Sequence, residues 1–139
     1  MLEVLGSVLN ILTLAVGALG GISLLVGAVG ILTIMTIAVN ERTSEIGLLR
    51  AVGAGRKQIL ALFIGEAVVL ASIGGLAGLV MGAGGAWLLT LLVPALPVHT
   101  SWPYALAAEI LAVLIGLSAG VLPALHAAGL NPVEALRAE

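Results

Sequence analysis

The chain has 139 residues, 61% of them hydrophobic and 9% charged, with a mean hydropathy of +1.28 and a formal net charge of −2. Soluble domains carry about 25% charged residues, so a chain this poor in ions has no polar shell and is solvated by lipid. Cysteine is absent, which excludes a disulfide framework and a cysteine metal site. The near-neutral charge and scarce aromatic residues exclude a basic, base-stacking surface for nucleic acid.

In chain order, the charge map predicts three membrane spans. No charged residue lies between Glu3 and Glu41, between Glu66 and Glu109, or between Glu109 and Glu134. A spanning helix needs about 20 apolar residues, which places spans near 14–39, 58–92 and 103–127. The N-terminal stretch carries Glu3 in place of the positive n-region of a signal peptide and reads as part of the first span. The second stretch exceeds what a bilayer requires, so it must tilt, bend or project. Pro94, Pro97 and Pro103 break helix beyond it. Trp87, Trp102 and Tyr104 suit an interfacial aromatic belt there.

Orientation follows from the cations. Arg42, Arg50, Arg56 and Lys57 lie in the first connection and Arg137 in the tail, whereas the second connection, 93–102, has His99 but neither Lys nor Arg. The positive-inside rule predicts a cytoplasmic 40–57 loop and C-terminus, with the N-terminus and 93–102 outside.

Small residues recur at every fourth position: Gly74, Gly78 and Gly82 in the second span, and Ala108, Ala112, Gly116, Gly120 and Ala124 in the third. Gly17 and Gly21 form a shorter pair in the first. Such rows let helix backbones approach closely, so they predict helix-packing faces, for this chain's own spans, a second copy or another chain.

The first connection predicts a short amphipathic helix over 43–53. Thr43 is the expected N-cap, with Ser44 and Glu45 in the first turn near the positive helix end. On a helical wheel Ile46, Leu48, Leu49 and Val52 share one broad side, while Ser44, Gly47, Arg50 and Ala51 occupy the other. Gly53 supplies a left-handed stop and Gly55 the next start; Arg56 and Lys57 then hold the second span at the headgroups. Pattern alone supports a surface-lying connector and a docking element for a cytoplasmic partner about equally.

Two acids fall within the spans. Glu66 lies about 12–15 Å along the helix from Arg56 at about 1.5 Å per residue. It suits an interhelix hydrogen bond, or a pair with Arg50 or Arg137, better than a substrate or proton site. Glu109, early in the third span, is expected to reach the outer headgroups. In the third span Pro123 is expected to kink the helix, and Asn131, Pro132 and Glu134 to open a tail helix over 131–139.

The stretch "ERTSEIGLLRAVGAGRKQILALFIGEAVVLASIGGLAGLVMG" and the ending "LPALHAAGLNPVEALRAE" resemble the two signatures of the FtsX-like permease family, which includes the MacB and lipoprotein-releasing ABC transporter permeases. Glu41, Arg42, Glu45, Ile46, Gly47, Arg50, Ala51, Gly53, Ala54, Arg56 and Ile59 fit the first, with Glu66, Gly74 and Gly75 in the span after it. His126 departs from the basic or polar residue the family often has there. The resemblance covers nearly the whole chain and implies an all-α, polytopic membrane protein. Three transmembrane helices would correspond to the last three of four spans, with a cytoplasmic coupling helix between the first two of them. Residues 1–13 would be the end of a stalk helix; the family's first span and extracytoplasmic domain have no counterpart here.

The resemblance further implies dimeric assembly with a second permease copy, identical or not, above a pair of ATPases that carry the ATP and Mg. Glu41, Arg42, Glu45, Ile46, Leu49, Arg50, Val52 and Gly53 would form the ATPase-coupling site, with Ile46, Leu49 and Val52 as apolar contacts and the ions as polar ones. Nothing in the sequence makes the chain an enzyme. It lacks the G-x-x-x-x-G-K-[ST] phosphate loop, Asp is absent, and no H-E-x-x-H pair occurs. The rival readings are a stand-alone channel or assembly factor, a non-functional permease fragment, and a secondary carrier. The last would show broken helices around a midplane polar site.

Overall fold

Residues 1–93 and 101–131 are described by a computed structural model. Four helices follow one another: α1 Leu2–Glu41, α2 Thr43–Ala51, α3 Arg56–Leu92 and α4 Trp102–Gly129, and no strand occurs among the described residues. The spans expected at 14–39, 58–92 and 103–127 lie inside α1, α3 and α4, which are long and apolar enough to cross a membrane. Residues 94–100, and all of the tail helix expected over 131–139 except Asn131, fall outside the described residues.

The 40 residues of α1 make a rod about 60 Å long, twice the hydrocarbon core of about 30 Å. It has no proline, and no break separates 1–13 from 14–39. Four of its five hydroxyl side chains bond back to the helix's own backbone. Thr13, Ser23, Thr33 and Thr36 each donate to the carbonyl four residues earlier, at 2.7–3.0 Å. That satisfies them where lipid offers no partner. Residues 3–23 of α1 are all exposed, whereas Met35 and Val39 near its lower end are buried.

α3 and α4 form the most extensive contact, antiparallel and closely spaced. Ala67 of α3 lies on Gly120 of α4, and one turn higher Ala71 lies on Gly116. The Gly116 position also faces Ile31 of α1, so it stands where three helices meet. The expected third-span row therefore packs, with Gly116, Gly120 and Ala124 buried and Ala112 half-buried. The second-span row does not pack within the chain: a Cβ at Gly74, Gly78 or Gly82 would meet nothing within 4 Å beyond its own helix backbone and chain neighbours. The face of α3 that α4 uses runs through Ile59, Phe63, Ala67, Ala71 and Gly75, one residue out of step with the glycine row.

The core lies entirely at the α2 end. Met35 and Val39 of α1, Ile46 of α2, Ile59, Phe63 and Ala67 of α3, and Ala124, Ala127 and Ala128 of α4 form one buried cluster. Away from it, α1 and the α3–α4 pair leave a long groove between them. Pro123 is buried and α4 continues through it to Gly129. Pro103 occupies the first turn of α4, where its missing N–H costs nothing. Trp87, Trp102 and Tyr104 are exposed at the end remote from α2.

Candidate coupling site

The turn into α2 is built differently from the expected cap. Arg42, with φ −99° and ψ 18°, separates α1 from α2. Thr43 is the first helical residue, and its hydroxyl lies toward the preceding helix, against the carbonyls of Val39 (3.1 Å) and Asn40 (2.9 Å). It therefore closes α1 rather than capping α2. With a single residue between the helices, Thr43 is already helical and cannot take the extended conformation an N-cap requires.

The end of α2 follows the expectation. Gly53 has φ +108°, a conformation that disfavours any side chain. Gly53 N–H donates to Arg50 O at 3.2 Å and Ala54 N–H to Leu49 O at 2.9 Å. This double closure is a Schellman motif. Gly55 is the N-cap of α3, and the Gln58 side chain accepts its N–H at 2.9 Å. Glu45 in the first turn of α2 and Arg50 in the last both complement the helix dipole.

Three contacts fasten this turn to the long helices. Ile46, 2% exposed, inserts into the common core. Arg42 pairs with Glu66 at 3.7 Å, so among the described residues the partner of Glu66 is Arg42 rather than the expected Arg50; Arg137 lies outside them. Arg56 Nε donates to Ala128 O at 3.1 Å, joining the first residue of α3 to the last turn of α4. A guanidinium suits the negative end of a helix. Sequence reasoning gave Arg56 only a headgroup role. Its proximity to Ala128 arises from the antiparallel α3–α4 register, which no local pattern encodes.

The expected coupling residues thus divide. Ile46 and its buried neighbour Gly47 face inward, so Ile46 is not on the outer apolar surface expected of it. That surface is Leu48 (58% exposed), Leu49 (46%) and Val52 (82%), the last just beyond the helix. Glu41, Arg42 and Glu45 are exposed beside them and Arg50 is half-buried. Such a strip offers apolar contact with polar groups at its rim, the usual anatomy of a protein interface.

Glu109 departs from its expected path to the headgroups. Its carboxyl lies against α3 in the space left by the absent side chain of Gly75. Oε2 is buried without a hydrogen-bond partner among the described residues. The cause is steric: a Cβ at position 75 would occupy the place the carboxyl takes.

A Bacillus subtilis protein described as an uncharacterized ABC transporter permease, YknZ, is 46% identical over 97% of this chain and 34% of its own length. A second from the same organism, YvrN, described likewise, is 47% identical over 91% of this chain and 31% of its own. The macrolide export ATP-binding/permease protein MacB of Rhodospirillum rubrum is 45% identical over the whole chain and 21% of its own length. The chain therefore spans about a third or less of these relatives. Residues 17–132 match the model of the FtsX-like permease C-terminal family, and the chain belongs to that family.

Proposed function

We propose that this chain is the C-terminal membrane portion of an ABC transporter permease and that α2 is the lever through which an ATPase drives it. The carrying observation is the division of α2 into an inward anchor, Ile46, and an outward strip of Leu48, Leu49 and Val52. A partner gripping the strip would pull on the point where all three long helices share a core. Arg42–Glu66 and Arg56–Ala128 would spread that pull to α1, α3 and α4. Glu41, Glu45 and Arg50 would fix the docking register more than the affinity.

In this reading α2 and the C-terminus are cytoplasmic, and the N-terminus and the 93–102 connection lie outside. The ATPase supplies ATP and Mg. The MacB relative is an ATP-binding/permease protein by name; the ATPase proposed here acts on this chain as its partner. A second permease copy completes the assembly, and the exposed sides of α1 leave room for its helices. A preceding span and extracytoplasmic domain would receive the motion, so that ATP hydrolysis would drive export, extraction or a mechanical signal rather than passage through a pore in this chain.

Leu49→Asp tests the lever. It places a carboxylate in the docking strip without touching the core. The expected result is loss of the ATPase from the purified membrane complex, with unchanged insertion of the permease. Undiminished ATPase recovery would refute the assignment.

A further inference from the structure

The groove between α1 and the α3–α4 pair has a volume of about 620 Å³, within the range of about 300–1,000 Å³ typical of small-molecule sites. Its walls are apolar, with Leu24 and Ile31 on α1, Leu70 and Leu79 on α3, and Ile115 on α4; glycines such as Gly27, Gly74 and Gly78 keep it open. Two side chains with polar atoms line it, Ser23 and Glu109. The Ser23 hydroxyl already donates to Leu19 O at 3.0 Å. Glu109 is half-buried and lines the groove, with Oε2 enclosed against α3 and without a hydrogen-bond partner among the described residues. Nothing else on the lining carries a cation or a side-chain N–H. Burying such a group unpaired is costly, and ionisable groups at membrane depth mark pathways or ligand sites.

From Trp102, Glu109 lies about 10 Å along α4 at about 1.5 Å per residue. It is therefore below the aromatic belt yet in the half of the molecule remote from α2. The groove is open laterally, between helices that face lipid.

We propose that this groove is an intramembrane binding site for lipophilic amines, entered from the bilayer, in which Glu109 pairs with the ligand's ammonium group. The apolar body of the ligand lies along Leu24, Ile31 and Ile115. The absent side chain of Gly75 lets the Glu109 carboxyl stay at the groove floor instead of reaching the surface. The site lies apart from α2 and needs no ATPase to bind, so it stands or falls separately from the coupling role.

The test uses the full chain in lipid nanodiscs with two probes of equal length: a dansyl-labelled alkyl dimethylamine and its uncharged alkyl alcohol. Saturable amine binding is expected, weakened about tenfold or more in Glu109→Gln because a charge-assisted hydrogen bond is lost. The alcohol should bind both forms equally, which shows that the variant is folded. Gly78→Leu, which points into open space, should reduce binding of both probes by filling the groove. Equal amine affinity of the wild type and Glu109→Gln would overturn the proposal. So would inter-copy cross-linking through Gly78→Cys that the amine does not diminish, because a helix of a second copy would then be the occupant.

Discussion

At the scale of single residues, the close approach of α3 and α4 rests on missing side chains. A Cβ at Gly120 would collide with Ala67, and one at Gly116 with Ala71 and with Ile31 of α1. Gly120→Leu should therefore force the helices apart at a cost of about 1–3 kcal/mol, as overpacking does. The expected outcome is a lower unfolding temperature in detergent, with Gly82→Leu nearly neutral because that position is open. Equal destabilisation by both would contradict the register described here. The third-span row was legible because its small residues repeat over several turns. In the second span two rows compete, 74–78–82 and 67–71–75, about 100° apart on a helix with 3.6 residues per turn. Glycine count favours the first; the position of α4 selects the second, since α4 needs a wider face with Phe63 and Ile59 below it. Glu109 was misread for a related reason: whether a carboxyl climbs to the headgroups or lies inward depends on a gap, at Gly75, in a different helix.

At the scale of elements, the connection between α1 and α3 is a short helix held by chemistry its sequence announces and by contacts it does not. Gly53 and Gly55 act where their position among the ions suggested, one stopping α2 and the other starting α3. The Thr43 cap failed because α1 runs on to Glu41 and leaves a single residue, Arg42, between helices. The two arginine contacts differ in kind. Arg42–Glu66 joins groups 52% and 36% exposed, and such pairs contribute about 0–1 kcal/mol. Arg56 donates to a helix-terminal carbonyl that is partly buried, where a hydrogen bond to a charged group contributes about 1.5–3 kcal/mol. Arg56→Gln should accordingly lower the unfolding midpoint in detergent more than Arg42→Ala. The reverse order would show that the α1–α3 pair, rather than the α3–α4 junction, holds the turn in place.

At the scale of the whole molecule, the distribution of burial is the functional statement. The core gathers at the α2 end, while the opposite half is splayed around a groove and the upper part of α1 is exposed throughout. A structure anchored at one end and open at the other suits a device that is driven from the anchored end. The chain covers about a third or less of the relatives considered, so much of the open surface is available to segments and copies beyond it. The all-helical, three-span architecture was readable from charge spacing alone, because placing an ion in hydrocarbon is costly enough to fix where spans can lie. How the spans lean on one another was not readable, since lipid is as apolar as their side chains and packing is decided by shape.

For an ATPase to hold α2, that helix must face the cytoplasm. Because the chain has no cysteine, single substitutions report sidedness cleanly. Ser44→Cys and Ser101→Cys, both at exposed positions, should be compared in intact cells with a membrane-impermeant maleimide. The account predicts labelling of Ser101→Cys at once and of Ser44→Cys only after the membrane is opened. Labelling of Ser44→Cys in intact cells would place the lever on the wrong side and contradict it.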